Sequence, residues 1–295
     1  MSKNILKIVF IATIILLLII TICGLFSFNT SNSYEIVNQY GEIIKMFGAG
    51  IYAHDSYFKA PIFIGSDFTM LVFILPLFII FFLKLRKEKS IENHIDCFAI
   101  LALILYYAAS ISFGVTYNSL QLLYIGLFGI SFYGVCFLLA KLISISTSHH
   151  FTFEYPITKG MLAFLIVTGI CLFVAWLPDI ISSLISSKPL DLIEVYTTDI
   201  TYVLDMGIIS PLMFLIFYLI KKRLFIGYVF FRMVLKVCMG IGIMLPIQTV
   251  FQIMAGIQIP FPALITKVFT FVLLALFAAL YERRIKSSVV ANVSV

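Results

Sequence analysis

The sequence predicts an all-α fold, a polytopic transmembrane helix bundle of about eight spans, and three observations predict it. The chain is 62% hydrophobic and only 12% charged over 295 residues, with a mean hydropathy of +1.12, a composition that excludes an ordinary soluble domain. Eight apolar runs lie near 5–26, 68–83, 97–117, 120–140, 161–177, 201–220, 227–250 and 263–281. Each is close to the roughly 20 residues a helix needs to cross a hydrocarbon core of about 30 Å. The third observation is independent of hydropathy: the basic residues fall in alternate connections. Lys3, Lys7, Lys84, Arg86, Lys87, Lys89, Lys141, Lys159, Lys221, Lys222, Arg223, Arg283, Arg284 and Lys286 gather on one side, against Lys45, Lys59 and Lys188 on the other. Basic residues resist translocation, so the first side is expected to be cytoplasmic, and an even number of spans puts both termini there. The pI of about 9.0 therefore reports topology and not nucleic-acid binding.

The first span follows Lys3 and Lys7. Its apolar run is longer than a secretory h-region and the nearest small-x-small triplet, Ser31-Asn32-Ser33, lacks alanine, so it reads as a retained helix. Beyond it, Ile36, Val37, Tyr40, Ile43, Ile44 and Phe47 recur at helical spacing with polar residues between them. This predicts an amphipathic helix on the outer surface, ended by Gly48 and Gly50. The loop then runs through His54, Asp55 and Asp67 into the second span. After the fifth span, Trp176 and Pro178 precede apolar residues interleaved with serines, which predicts a second short surface helix stopped near Pro189.

The chain is expected to form one membrane domain with a short cytoplasmic tail at 287–295, and its halves, 1–143 and 157–286, look alike. Each has a span, a long outer excursion, a proline-bearing span ending in basic residues, and two further spans. Asp67, Pro76 and the cluster at Lys84 correspond to Asp199 or Asp205, Pro211 and the cluster at Lys221. Four spans restore the original side, so a duplication gives parallel repeats about an axis along the membrane normal, with a site expected between them.

The candidate site residues are the ionisable ones within spans. A charge at the bilayer centre costs at least about 2.5 kcal/mol, so such groups face the bundle and find partners. Asp205 and Lys236 enter from opposite sides to similar depth and are expected to pair; Lys267 is the rival partner for Asp205. Arg232, one turn before Lys236, is placed where it snorkels to phosphates. These charges either lock helices together or line a polar cavity in which Lys236 and Arg232 hold an anion or Asp205 exchanges a proton. Tyr106 and Tyr107 are deep enough to line that cavity, whereas Tyr117 and Asn118 suit the interface.

Enzyme signatures are sparse: no P-loop, HExxH, GxSxG or CxxC occurs. His54, Asp55 and Asp67 form a candidate outer-loop group for base or metal chemistry. His149 and His150 with Glu154 are a weak zinc pattern, and the five cysteines have no metal-like spacing. No metal or cofactor is expected, and the expected partners are the lipid bilayer and a small solute or ion.

The stretches 105–135 (LYYAASISFGVTYNSLQLLYIGLFGISFYGV), 50–67 (GIYAHDSYFKAPIFIGSD) and 202–236 (YVLDMGIIS through FFRMVLK) resemble a bacterial family of multi-span membrane proteins of unknown function. The resemblance covers most of the chain, includes Asp205 and Lys236, and implies a bacterial plasma membrane location; it carries no activity or substrate. Three functions follow as expectations: a transporter of a small solute or ion, a non-catalytic accessory or sensor protein acting through its outer loops, and an enzyme acting on a lipid-linked substrate.

Overall fold

A computed structural model describes residues 3–148 and 157–293, and the side chains among them other than those of residues 3, 4, 148, 263, 267 and 286–293. His149, His150 and Glu154 lie outside the described residues. Eight helices long and apolar enough to cross a membrane span this region. They are α1 (Lys3–Leu25), α2 (Ala60–Lys87), α3 (Ile91–Gly114), α4 (Gln121–Ser148), α5 (Lys159–Ser186), α6 (Ile200–Lys221), α7 (Phe225–Met254) and α8 (Leu264–Ile285). The protein is a multi-pass membrane protein with an all-α bundle. The end of the bundle bearing Lys84, Arg86, Lys87 and Lys221 is called the basic face below.

Two elements differ from the sequence expectation. Residues 34–47 form a β-hairpin, β1 (Tyr34–Val37) against β2 (Ile43–Met46), and not an amphipathic helix. The apolar spacing suits either, but the β-branched Ile36, Val37, Ile43 and Ile44 flank a turn. Asn38 Oδ1 accepts from the N–H groups of Tyr40 and Glu42, and Gly41 takes a φ of +82°; that turn chemistry decides the outcome. Nor is there a separate helix after Pro178. α5 continues through that proline to Ser186 and ends on Ser187 in the left-handed region. Pro178 and Val174, whose carbonyl loses its partner, are both exposed on the outside of the bundle.

α3 and α7 are the central helices: 67% of the apolar window of each is buried, against at most 39% for any other span. In the first half α1 packs on α2 and α4, α2 on α3, and α3 on α4. In the second, α5 packs on α6 and α8, α6 on α7, and α7 on α8. Across the boundary α2 packs on α7, α6 on α3, and α3 on α7. Exchanging α1–α4 for α5–α8 returns the same set of contacts. The crossings at the boundary are close. A Cβ at Gly240 would come within 2.2 Å of the Leu103 side chain, and one at Gly65 within 2.6 Å of Gln248 Cα, so side chains there would force the halves apart.

α2 and α6 share a further feature. The Leu75 N–H reaches back five residues to the Met70 carbonyl, and the Ser210 N–H likewise to that of Asp205, forming a π turn in each helix. Each turn stands just before a proline, Pro76 or Pro211, which lacks an N–H and crowds the carbonyl four residues earlier. α7 carries Pro246 without such a turn.

Candidate functional site

A cavity of about 450 Å³ lies between the halves, away from the basic face, with walls that are mostly apolar. Its polar lining includes Ser66 of α2, Tyr106, Tyr107 and Ser110 of α3, Trp176 of α5, Asp205 of α6 and Gln248 of α7. Asp205 is 4% exposed and opens the α6 π turn. The Tyr106 hydroxyl donates to its Oδ1 at 2.9 Å and Trp176 Nε1–H to its Oδ2 at 2.9 Å. Trp176 stacks on Tyr202 at 4.8 Å between centroids, and the Tyr202 hydroxyl donates to Asp179 at 2.8 Å. The carboxylate is thus held by two aromatic donors contributed by different halves. The structure brings Asp205, Tyr106 and Tyr107 to one cavity.

The expected pair of Asp205 with Lys236 does not form. Lys236 Nζ lies 2.8 Å from Glu282 and 2.9 Å from Asp96, in a cluster nearer the basic face. Arg232 does not snorkel either; it is fully buried, donating to both Glu282 oxygens at 2.7 Å, to Glu92 at 2.5 Å and to Asp96 at 3.3 Å. The Tyr228 hydroxyl accepts from Arg232 at 2.9 Å. Glu92, Asp96 and Glu282 sit near helix ends, where sequence reading counts them as loop charges, so the true partners of the two cations were missed. The signal was the chemistry itself: two buried cations call for nearby anions. The Lys267 side chain lies outside the described residues.

The outer group of His54, Asp55 and Asp67 does not converge. His54 is exposed and bonds Tyr34 through Nδ1 at 3.1 Å. Asp55 Oδ1 accepts from the Thr116 N–H at 2.9 Å and the Tyr196 hydroxyl at 3.0 Å. Burial pushes the Asp55 carboxyl up to about 7, against the opposing pull of those hydrogen bonds. Asp67 is not in a loop at all. α2 begins at Ala60, eight residues before the apolar run, and Asp67 lies two turns inside it, fully buried. Its Oδ2 accepts from the Tyr52 hydroxyl at 2.6 Å and its Oδ1 from that of Tyr107.

Ionic contacts between the halves stand at two levels of the bundle, one lining the cavity and one nearer the basic face. Lys59 Nζ, before α2, meets Asp199 Oδ2 at 2.9 Å, while Asp199 Oδ1 caps α6 by accepting from the Thr201 N–H. Beside them Asn38 donates to the Glu194 carbonyl at 2.9 Å, Ser56 to the Glu194 carboxylate, and Tyr196 to Asp55. Nearer the basic face, beyond the cavity lining, Glu92 and Asp96 of α3 meet Arg232 and Lys236 of α7.

The chain matches no protein-family model, no curated protein and no solved structure. The family resemblance of 50–67, 105–135 and 202–236 therefore rests on those stretches alone.

Proposed function

We propose that the protein is a transporter of a small solute, built from two parallel four-helix halves that rock about the α3–α7 contact. One observation carries this reading: the cavity lies between the halves, and ionic contacts join one half to the other on both sides of its level, Lys59 with Asp199 in its wall and Glu92 and Asp96 with Arg232 and Lys236 further towards the basic face. Breaking one set while keeping the other opens the cavity to one side at a time, which is what alternating access requires. The matching contact plan and the paired π turns before Pro76 and Pro211 support the two-half division. The π turns also supply weak points at which α2 and α6 bend.

The walls favour a cargo with an apolar body, and Asp205 with its aromatic donors favours a cationic or hydrogen-bonding group at one end. The charge asymmetry supports a basic face and termini in the cytoplasm, with the cavity towards the outside; the resembling stretches support a bacterial plasma membrane. Trp176 is the single tryptophan of the chain, so its emission reports on this cavity alone. The test is a screen of small solutes against Trp176 emission of the chain in lipid nanodiscs, followed by counterflow of responding solutes in proteoliposomes. A solute that shifts emission in the wild type but not in Asp205→Asn, and that exchanges across the membrane, is the expected result. Binding without exchange would replace transport by a sensor role.

A further inference from the structure

Asp67 is a carboxyl group buried in the bundle interior, and among the described residues no cation pairs with it. Among the described residues the ion pairs are Lys59 with Asp199 and the cluster of Arg232 and Lys236 with Glu92, Asp96 and Glu282; Asp67 is in neither. The titratable groups around it are tyrosines, Tyr52 of the turn before α2, Tyr107 of α3 and Tyr124 of α4, while α1 meets it with Gly24. From α7, Gln248 faces this level of α2, and the charged residues of α7 are engaged nearer the basic face. The position is built to hold the group. A Cβ at Gly24 would lie 1.7 Å from Asp67 Oδ2, so α1 leaves room for the carboxyl and for nothing more. An unpaired carboxylate in such surroundings is neutralised by taking up a proton.

We propose that Asp67 is a proton-binding site, and that its proton decides whether the Tyr107 hydroxyl faces Asp67 or the cavity. The inference rests on the transport reading for its second half only. As a carboxylate, Asp67 accepts from two hydroxyls, Tyr52 on one oxygen and Tyr107 on the other. A proton from solvent in the cavity adds one O–H bond and turns one acceptor oxygen into a donor. The tyrosine on that oxygen then accepts from the new O–H in place of donating, and its own hydroxyl hydrogen turns elsewhere. Tyr52 is fully buried and does not line the cavity, whereas Tyr107 does. Protonation therefore frees the Tyr107 hydroxyl hydrogen to be donated into the cavity, where it is offered to cargo, and loss of the proton draws it back to Asp67. Asp205 has the corresponding arrangement, a carboxyl beside a π turn with two aromatic donors, one of them the residue next to Tyr107.

Two readouts on the full chain in lipid nanodiscs test this. Infrared difference spectra between acid and alkaline buffer should show a protonated-carboxyl band that Asp67→Asn removes, Tyr107→Phe displaces and Asp205→Asn leaves in place. In a background without the five native cysteines, Ser110→Cys on the cavity wall should react with a membrane-impermeant thiol reagent at a rate that changes several-fold with pH. Asp67→Asn should hold that rate near its acid value at every pH. If Asp67→Asn does not fold, the displaced band and altered rate in Tyr107→Phe carry the test. Spectra of Asp67→Asn or Tyr107→Phe that superimpose on the wild type overturn the proton site. A band lost in Asp67→Asn with an unaltered pH dependence of labelling overturns the role of Tyr107. No labelling at any pH, with the band still lost in Asp67→Asn, overturns the coupling because the cavity is dry, and the transport reading fails with it while the proton site stands.

Discussion

The Tyr106 hydroxyl of α3 and the Asp205 carboxylate of α6 meet at 2.9 Å across the boundary between the halves of the chain. Tyr106→Phe removes one of two donors to a buried acid. Hydrogen bonds to charged groups contribute about 1.5–3 kcal/mol, so this variant should unfold at lower temperature and shift Trp176 emission. Asp205→Ala should move the emission further, because Trp176 Nε1–H then loses its acceptor. Unchanged emission in both variants would place Trp176 elsewhere.

Arg232 and Glu282 form a two-pronged buried pair, and single variants should be far more damaging than the double. Removing one partner of a buried ion pair costs roughly 3–5 kcal/mol, whereas replacing both by apolar groups is often near neutral. Arg232→Met and Glu282→Leu should each lower the melting temperature sharply and the double variant should recover much of the loss. Additive losses would mean that Glu92, Asp96 and Lys236 dominate the cluster.

The Lys59 pair should affect access more than stability. Its partners are 13% and 17% exposed, and a pair in contact with solvent contributes about 1 kcal/mol or less. Lys59→Met should leave the melting temperature within a few degrees of wild type while acrylamide quenching of Trp176 rises. Quenching equal to wild type would show that Lys59 does not obstruct the cavity.

Asp55 gives the loop region a pH dependence of unusual sign. Its folded value near 7 lies above the ordinary 3.8, so between those values the folded chain keeps a proton that the unfolded chain has released. The stabilisation is full below about pH 4, declines as pH rises to 7 and is flat above, a span of about 4 kcal/mol at most. Glu194, raised in the same direction by burial, adds a slope of the same sign. Asp55→Asn should flatten melting temperature against pH between 5 and 7, and Asp55→Asn with Glu194→Gln should flatten it further. Stability that rises with pH across this range in the wild type would contradict the assignment.

The eight spans were legible because helix length against bilayer thickness and the one-sided basic residues are independent constraints that agree. Asp205, Tyr106 and Tyr107 were legible as cavity residues because polar groups at that depth have few other places to go. Asp67 was not, since Ser66, Gly65 and Asp67 itself depress hydropathy over the first turns of α2 and make a buried helix resemble a loop. The hairpin was misread because Tyr34 to Phe47 satisfies a helical spacing while its turn residues, Asn38 and Gly41, encode the opposite. Trp176 stood out only as a loop marker; that it reaches Asp205 depends on α5 running on past Pro178, which local rules disfavour.

Tyr106 and Tyr107 are consecutive, so their side chains leave α3 about 100° apart. One reaches across to Asp205 and the other back to Asp67. A rotation of α3 about its own axis moves both hydroxyls, as does a translation. α3 therefore grips one carboxyl group in each half through neighbouring side chains, and any turn of this helix acts on both attachments together.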